Sequence, residues 1–158
     1  IQVYWISHEP NSQENKYLSN IFNRNSLSTE VIDSVENIGQ IDSRIVIINA
    51  VGVLADLYWI TKVAYVGGGF SSGVHNLMEP AVAGVPMIFG PRYEKFKEAV
   101  EIVNQSAGLS ISKSIDFIKF LDFYFNSEEN LTHSSKSARN IILNHSGASV
   151  KILNHLNS

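Results

Sequence analysis

The sequence predicts an α/β fold built on a doubly wound parallel sheet, and three observations carry that expectation. Short β-branched runs of four to six residues alternate along the 158-residue chain with longer segments whose apolar residues recur every three or four positions. Two of the short runs, Ile45-Val46-Ile47-Ile48 and Val85-Pro86-Met87-Ile88-Phe89, are apolar on both faces, as strands are when helices cover both sides of a parallel sheet. The composition, 44% hydrophobic and 17% charged, suits one soluble domain over residues 1–158 with a proper core.

The elements follow in order. A strand is expected over Gln2–Ser7 and a helix over Ser12–Asn23, then a weaker strand over Glu30–Asp33 and a strong one over Arg44–Asn49. Val53–Ile60 is helical by its spacing, Val63–Gly68 a strand, and Asn76–Ala83 a short helix with Pro80 in its first turn, where the missing N–H costs little. Val85–Gly90 follows as a strand with Pro86 at its second position, tolerable near a strand start and disruptive further in. Tyr93–Gln105 is expected to be a helix, Leu109–Ser112 a strand, and Ile115–Phe125 and Glu128–Asn154 helices, the last broken near Ser146-Gly147. Ser134-Ser135-Lys136-Ser137 is expected on a solvated face, and Trp5 and Trp59 as core or domain-interface aromatics.

A formal net charge of −3 supplies no basic footprint, so nucleic acid is not an expected partner. The absence of cysteine excludes disulfides, thiolate metal ligands and a cysteine nucleophile. No apolar run approaches the ~18–20 residues that span a bilayer, and the N-terminus lacks the basic and apolar regions of a signal peptide. The chain enters a strand-like segment at once and without Met, and is expected to be a fragment of something longer.

In a parallel α/β sheet, ligands sit outside the carboxyl ends of the strands. Four loops are thereby singled out: Ser7–Pro10, Asn49–Gly52, Gly67–Asn76 and Gly90–Tyr93. The run Gly67-Gly68-Gly69 can bring backbone close to a phosphate, or can serve a tight turn for geometry alone, and both readings stay open. It is neither a G-x-G-x-x-G fingerprint nor a Walker loop. If the glycines serve a ligand, Gly68→Val should cost binding and spare the fold.

Asn76 and Glu79 fall on one helix face and could address one ligand, or form a helix cap with Glu79 at the third position. A carboxylate so placed can accept hydrogen bonds from two ribose hydroxyls. One His and one Glu fall short of a metal site. His8-Glu9 is a weak candidate for acid/base work. His133, His145 and His155 read as surface residues, and Arg92, Lys95 and Lys97 as cations that could face an anion or simply solvent. No nucleophile elbow and no inward carboxylate pair is visible.

Taken together, Asn49–Tyr58, Val63–Phe70, Gly73–Pro80 and Phe89–Ala99 resemble the donor-binding half of the 3-deoxy-D-manno-octulosonic acid (Kdo) transferases of lipopolysaccharide assembly. The combination G-G-G…G-x-H-N-x-x-E with F-G-P-x-x-x-x-F-K-E carries the resemblance, which covers roughly Gln2 to Gly108. It implies one Rossmann-like half of a GT-B glycosyltransferase, with CMP-Kdo as donor substrate, a lipid A precursor as acceptor and inversion at the anomeric carbon. It implies no metal or other cofactor, a general base in an N-terminal acceptor domain, and a full-length protein at the cytoplasmic face of the bacterial inner membrane, attached through parts other than this soluble domain. CMP contacts are implied at Ser7, His8, Val51, Gly52, Val53, Gly67, Gly68, Gly69, Phe70, His75, Asn76, Leu77, Met78 and Glu79. Ser7 replaces a Pro and Val53 a Glu of the family pattern, so a side-chain role at position 53 is lost. This part alone is expected to bind donor and catalyse nothing. Two other classes stay open: a GT-B donor domain for a UDP-sugar, and a non-catalytic nucleotide-binding α/β module.

Overall fold

The computed structural model describes residues 1–7, 9–71 and 73–145, in two compact units whose boundary falls between Asp56 and Leu57. The first unit holds β1 (Val3–Ile6), α1 (Ser12–Arg24), β2 (Thr29–Ile32), a 3-10 turn over Ile38–Gln40, β3 (Ile45–Ile48) and the start of α2 (Leu54–Tyr58). Its sheet has the order β1-β3-β2, all parallel, with Ile6 and Ile32 both opposite Ile48. The central strand is the all-β-branched one, and all four of its side chains are buried. Helix α1 starts where Asn11 accepts from the backbone N–H groups of Gln13 and Glu14, at 2.9 and 3.3 Å, satisfying two of the donors that a helix start leaves orphaned.

The second unit runs from Leu57 and holds β4 (Ala64–Tyr65), α3 (Met78–Ala83), β5 (Met87–Phe89), α4 (Lys97–Asn104), β6 (Gly108–Ser110), α5 (Ser114–Phe125) and α6 (Glu128–His145). Its sheet is β4-β5-β6, again all parallel. The pleat of β5 sends Met87 and Phe89 into one apolar cluster with Ala81, Ala99, Ile102, Ala138 and Ile141, from α3, α4 and α6. Ile88 points the other way, to Phe120 and Tyr124 of α5. The expected double cover of an all-apolar strand is therefore present on β5. Pro86 precedes the strand, and its carbonyl still serves the ladder by accepting from Ala64 N–H.

Several boundaries move for physical reasons. α4 begins at Lys97, not Tyr93, because Tyr93 packs edge-on against Phe89 at 5.5 Å and closes a turn to Phe96. Gly84, at φ 73°, ends α3 in the left-handed conformation of a helix stop. α5 starts where the Asp116 carboxylate accepts from the backbone N–H groups of Ser112 and Lys113, which lower its pKa from the ordinary carboxylate value. Residues 146–154 of the last expected helix, and its break, lie outside the described residues, as does His155. Among the described residues no helix is long and apolar enough to cross a membrane.

Two packing expectations are narrowed or corrected. Trp5 and Trp59 are 40% and 64% exposed, which removes the core alternative for both; Trp5 sits on an edge strand of its sheet and meets Phe22 edge to face. Ser134 is not on a solvated face: it is buried and accepts a 3.0 Å hydrogen bond from the Tyr124 hydroxyl, whose pKa burial raises. α6 turns that side inward because Ala138 and Ile141, four and seven residues on, belong to the same stripe. Ser134→Ala removes the partner of a buried hydroxyl and is expected to cost about 1–3 kcal/mol in urea denaturation; a loss within error of zero would mean that water reaches Tyr124.

Candidate functional site

The loop leaving β4 is stitched shut by its own backbone. Gly68 bridges Val74 antiparallel, His75 N–H donates to Gly67 O at 3.1 Å, and Gly69 N–H to Gly73 O at 3.1 Å. The loop after β5 then docks on it: Gly90 N–H donates to Gly68 O at 3.2 Å and Arg92 N–H to Gly69 O at 2.8 Å. Arg92 adds a side-chain bond to Ser71 O at 3.0 Å, so this cation is committed to joining two loops.

This arrangement decides why glycines are needed. Gly68 and Gly69 have φ of 91° and 79°, a region costly for other residues. A Cβ on Gly68 would run into the Gly73 carbonyl oxygen and lie 3.1 Å from Val74 Cα, and one on Gly69 would lie 2.8 Å from both Cα and O of Gly90. The tight-turn reading accounts for both positions, and the expectation that Gly68→Val would spare the fold is corrected. Gly67 differs. Its φ is ordinary, and a Cβ there would meet only the His75 ring, at 3.4 Å.

His75 now has a structural place: its imidazole lies along the Gly67–Gly68 backbone, with Cδ2 3.1 Å from where a Cβ of Gly68 would be. Phe70, directly after Gly69, is half-exposed, and Ser72 lies outside the described residues. Leu77 takes the N-cap position of α3 without a side-chain cap bond, so the helix starts at Met78, two residues later than expected, and Asn76 closes a local turn into it. The Asn76 Oδ1 accepts from Met78 N–H at 2.9 Å, and its amide donates to Glu79 Oε1 at 2.7 Å. The pair is joined side chain to side chain rather than as the expected capping box, and both residues stay exposed. The Met78 N–H is spent on that turn, leaving fewer free donors at the helix start than the sequence suggested. Leu77 and Pro80 point inward and are buried, and Met78 is half-buried.

Tyr58 was missed by sequence reasoning. It is buried in the cluster that also holds Leu77 and Ala81, and its phenol pKa is pushed up to about 12, by burial first and then by the negative charge of Glu79. A tyrosine in an apolar helical stripe gives no hint of lying near a carboxylate 21 positions later.

In the first unit, Ser7 and Asn49 leave the sheet side by side, because Ile6 pairs with Ile48. Ser7 is half-buried, and His8 lies outside the described residues. Val51 is 78% exposed, Gly52 turns the chain at φ 78°, and Val53 is half-buried before α2. Among the described residues no three His, Cys, Asp or Glu side chains are placed to hold one metal ion. His133 and His145 are exposed as expected, the latter paired with Glu101 at 2.6 Å.

No family model matches the chain. It is 29% identical over 142 residues to a 3-deoxy-D-manno-octulosonic acid transferase from Chlamydophila psittaci, a match covering 87% of this chain and 32% of that protein. It is 31% identical over 80 residues to the enzyme of that name from Aquifex aeolicus, covering 49% of this chain and 23% of the other. The chain therefore spans about a third or less of the length of these relatives. Among solved structures it resembles the C-terminal CMP-Kdo binding domain of WaaA from Acinetobacter baumannii, with a TM-score of 0.69 and 22% identity, covering 87% of this chain and 72% of that one. The resemblance carried by the loops is thus borne out as a likeness: the chain is similar in sequence to proteins named 3-deoxy-D-manno-octulosonic acid transferases, and it shares the α/β fold of the C-terminal domain of WaaA.

Proposed function

We propose that the chain is the donor-binding part of a glycosyltransferase that moves Kdo from CMP-Kdo to a lipid A precursor with inversion, in lipopolysaccharide assembly at the bacterial inner membrane. The observation that carries this reading is the kinship to Kdo transferases along 87% of the chain. The match to a CMP-Kdo binding domain agrees with it. CMP-Kdo is a substrate, and the reading includes no metal or other cofactor.

In the proposed site, Glu79 accepts from the ribose hydroxyls. Asn76 holds one of its carboxylate oxygens, fixing the group's orientation, and no hydrogen bond among the described residues uses the other. Further donor contacts are assigned to Ser7, His8 and Val51-Gly52-Val53 of the first unit, and to Gly67, Phe70 and His75 of the second. Gly68, Gly69, Leu77 and Met78 shape the loop from within. The acceptor hydroxyl attacks the anomeric carbon opposite the departing CMP, and a base outside these residues takes its proton.

Calorimetric titration of the chain with CMP, UMP and UDP tests the assignment: CMP should bind most tightly, and a clear preference for UDP would overturn it. Glu79→Ala is expected to weaken CMP binding by about 1–3 kcal/mol, two charge-assisted hydrogen bonds being lost. Unchanged affinity would refute the ribose role.

A further inference from the structure

Asn15 is a buried amide in α1, only 3% exposed, on the face where a helix covering a sheet ordinarily places an aliphatic residue. Its Nδ2 donates to Asn49 Oδ1 at 2.8 Å, and Asn49 Nδ2 donates in turn to Asp33 Oδ1 at 2.7 Å. Asn49 is also tied through its backbone, which donates to Ile32 O at 2.8 Å. The three side chains form a line across the carboxyl ends of β2 and β3, along one wall of an open recess of about 400 Å³.

The line has a direction. An ionised carboxylate only accepts, so Asp33 obliges Asn49 to turn its NH2 toward it and its carbonyl oxygen toward α1. Position 15 must then supply a donor, and a buried amide left unpaired there would be costly. Asn49 is thus held in one rotamer and one amide orientation from two sides. It is also the residue from which the chain departs into Ala50, Val51, Gly52 and Val53, of which Val51 and Gly52 are exposed.

We propose that Asn15 and Asp33 are positioning residues that act through Asn49 to hold the Val51–Val53 loop in the geometry that receives the nucleotide; this rests on the donor-binding reading above. Neither side chain need touch the ligand. The device resembles the outer partners that orient groups in a binding site, whose loss lowers affinity without removing a contact.

The test compares Asn15→Leu, which keeps the branching of the side chain and removes the donor, with Asp33→Ala and the conservative Asp33→Asn, which keeps an acceptor for Asn49. CMP affinity and the ligand-free amide signals of Val51, Gly52 and Val53 are measured well below the melting temperature. Asn15→Leu should weaken CMP about 10-fold and shift or broaden the three amides, Asp33→Ala should do the same to a lesser degree, and Asp33→Asn should restore both to near the wild-type values. Unchanged affinity and amides in a folded Asn15→Leu chain would overturn the proposal. Were that variant not to fold, the Asp33 pair, at the exposed end of the line, decides it in the same way. If wild-type chain does not bind CMP, the donor reading fails by itself, and the loop amides alone uphold or overturn the positioning role.

Discussion

Phe89→Ala is expected to destabilise the second unit by about 3–5 kcal/mol in urea or thermal unfolding. Phe89 is fully buried at the end of β5, inside the cluster shared by α3, α4 and α6, so truncation leaves a cavity that three helices and a strand cannot all collapse to fill. It also loses the edge-to-face contact with Tyr93, which shapes the turn after Gly90. Because Gly90 and Arg92 donate to the carbonyls of Gly68 and Gly69, loosening this turn reaches the glycine loop directly. CMP affinity should therefore fall along with stability. A cost below about 1 kcal/mol would mean that the helices close over the gap, contrary to the rigid packing argued for β5.

Gly69→Val should cost about 3–5 kcal/mol, combining a β-branched residue at positive φ with overlap against the Gly90 backbone. Both backbone hydrogen bonds of residue 69, from its N–H to Gly73 and from Arg92 N–H to its carbonyl, would be strained or broken. The contrasting variant is Gly67→Ala, whose Cβ meets only ordinary contact with the His75 ring. If Gly67 serves the ligand, this variant should melt like wild type while binding CMP more weakly. The pair separates the two uses of a glycine run that its sequence leaves merged: melting curves report the packing role and titration reports the approach to ligand.

Much of this organisation was legible from residue order. Ile45–Ile48 and Met87–Phe89 read as doubly covered strands because no polar residue interrupts them, and both are fully buried. Within each unit the pair of loops expected to carry chemistry follows from strand polarity, since parallel strands of one sheet put their carboxyl ends on one side: those after β1 and β3 in the first, those after β4 and β5 in the second. The family resemblance rested on motif order in those loops, which a linear pattern can carry. The contact between Asn76 and Glu79 was legible too, because i to i+3 spacing makes it local.

Contacts between distant parts of the chain were not legible. Ser134 looked like one serine among several until α6 placed it against Tyr124, and Tyr58 acquired its raised pKa only when burial and Glu79 came together. The strongest case is the glycine run. By itself it determined that backbone would pass close to something, because only the missing Cβ allows that. The tertiary structure decided what: for Gly68 and Gly69 it is the chain's own backbone at Gly73 and Gly90, while Gly67 alone keeps a side free. Composition and spacing determine local conformation and which faces seek burial, but a steric demand names no partner until the loops that follow two separate strands are packed together.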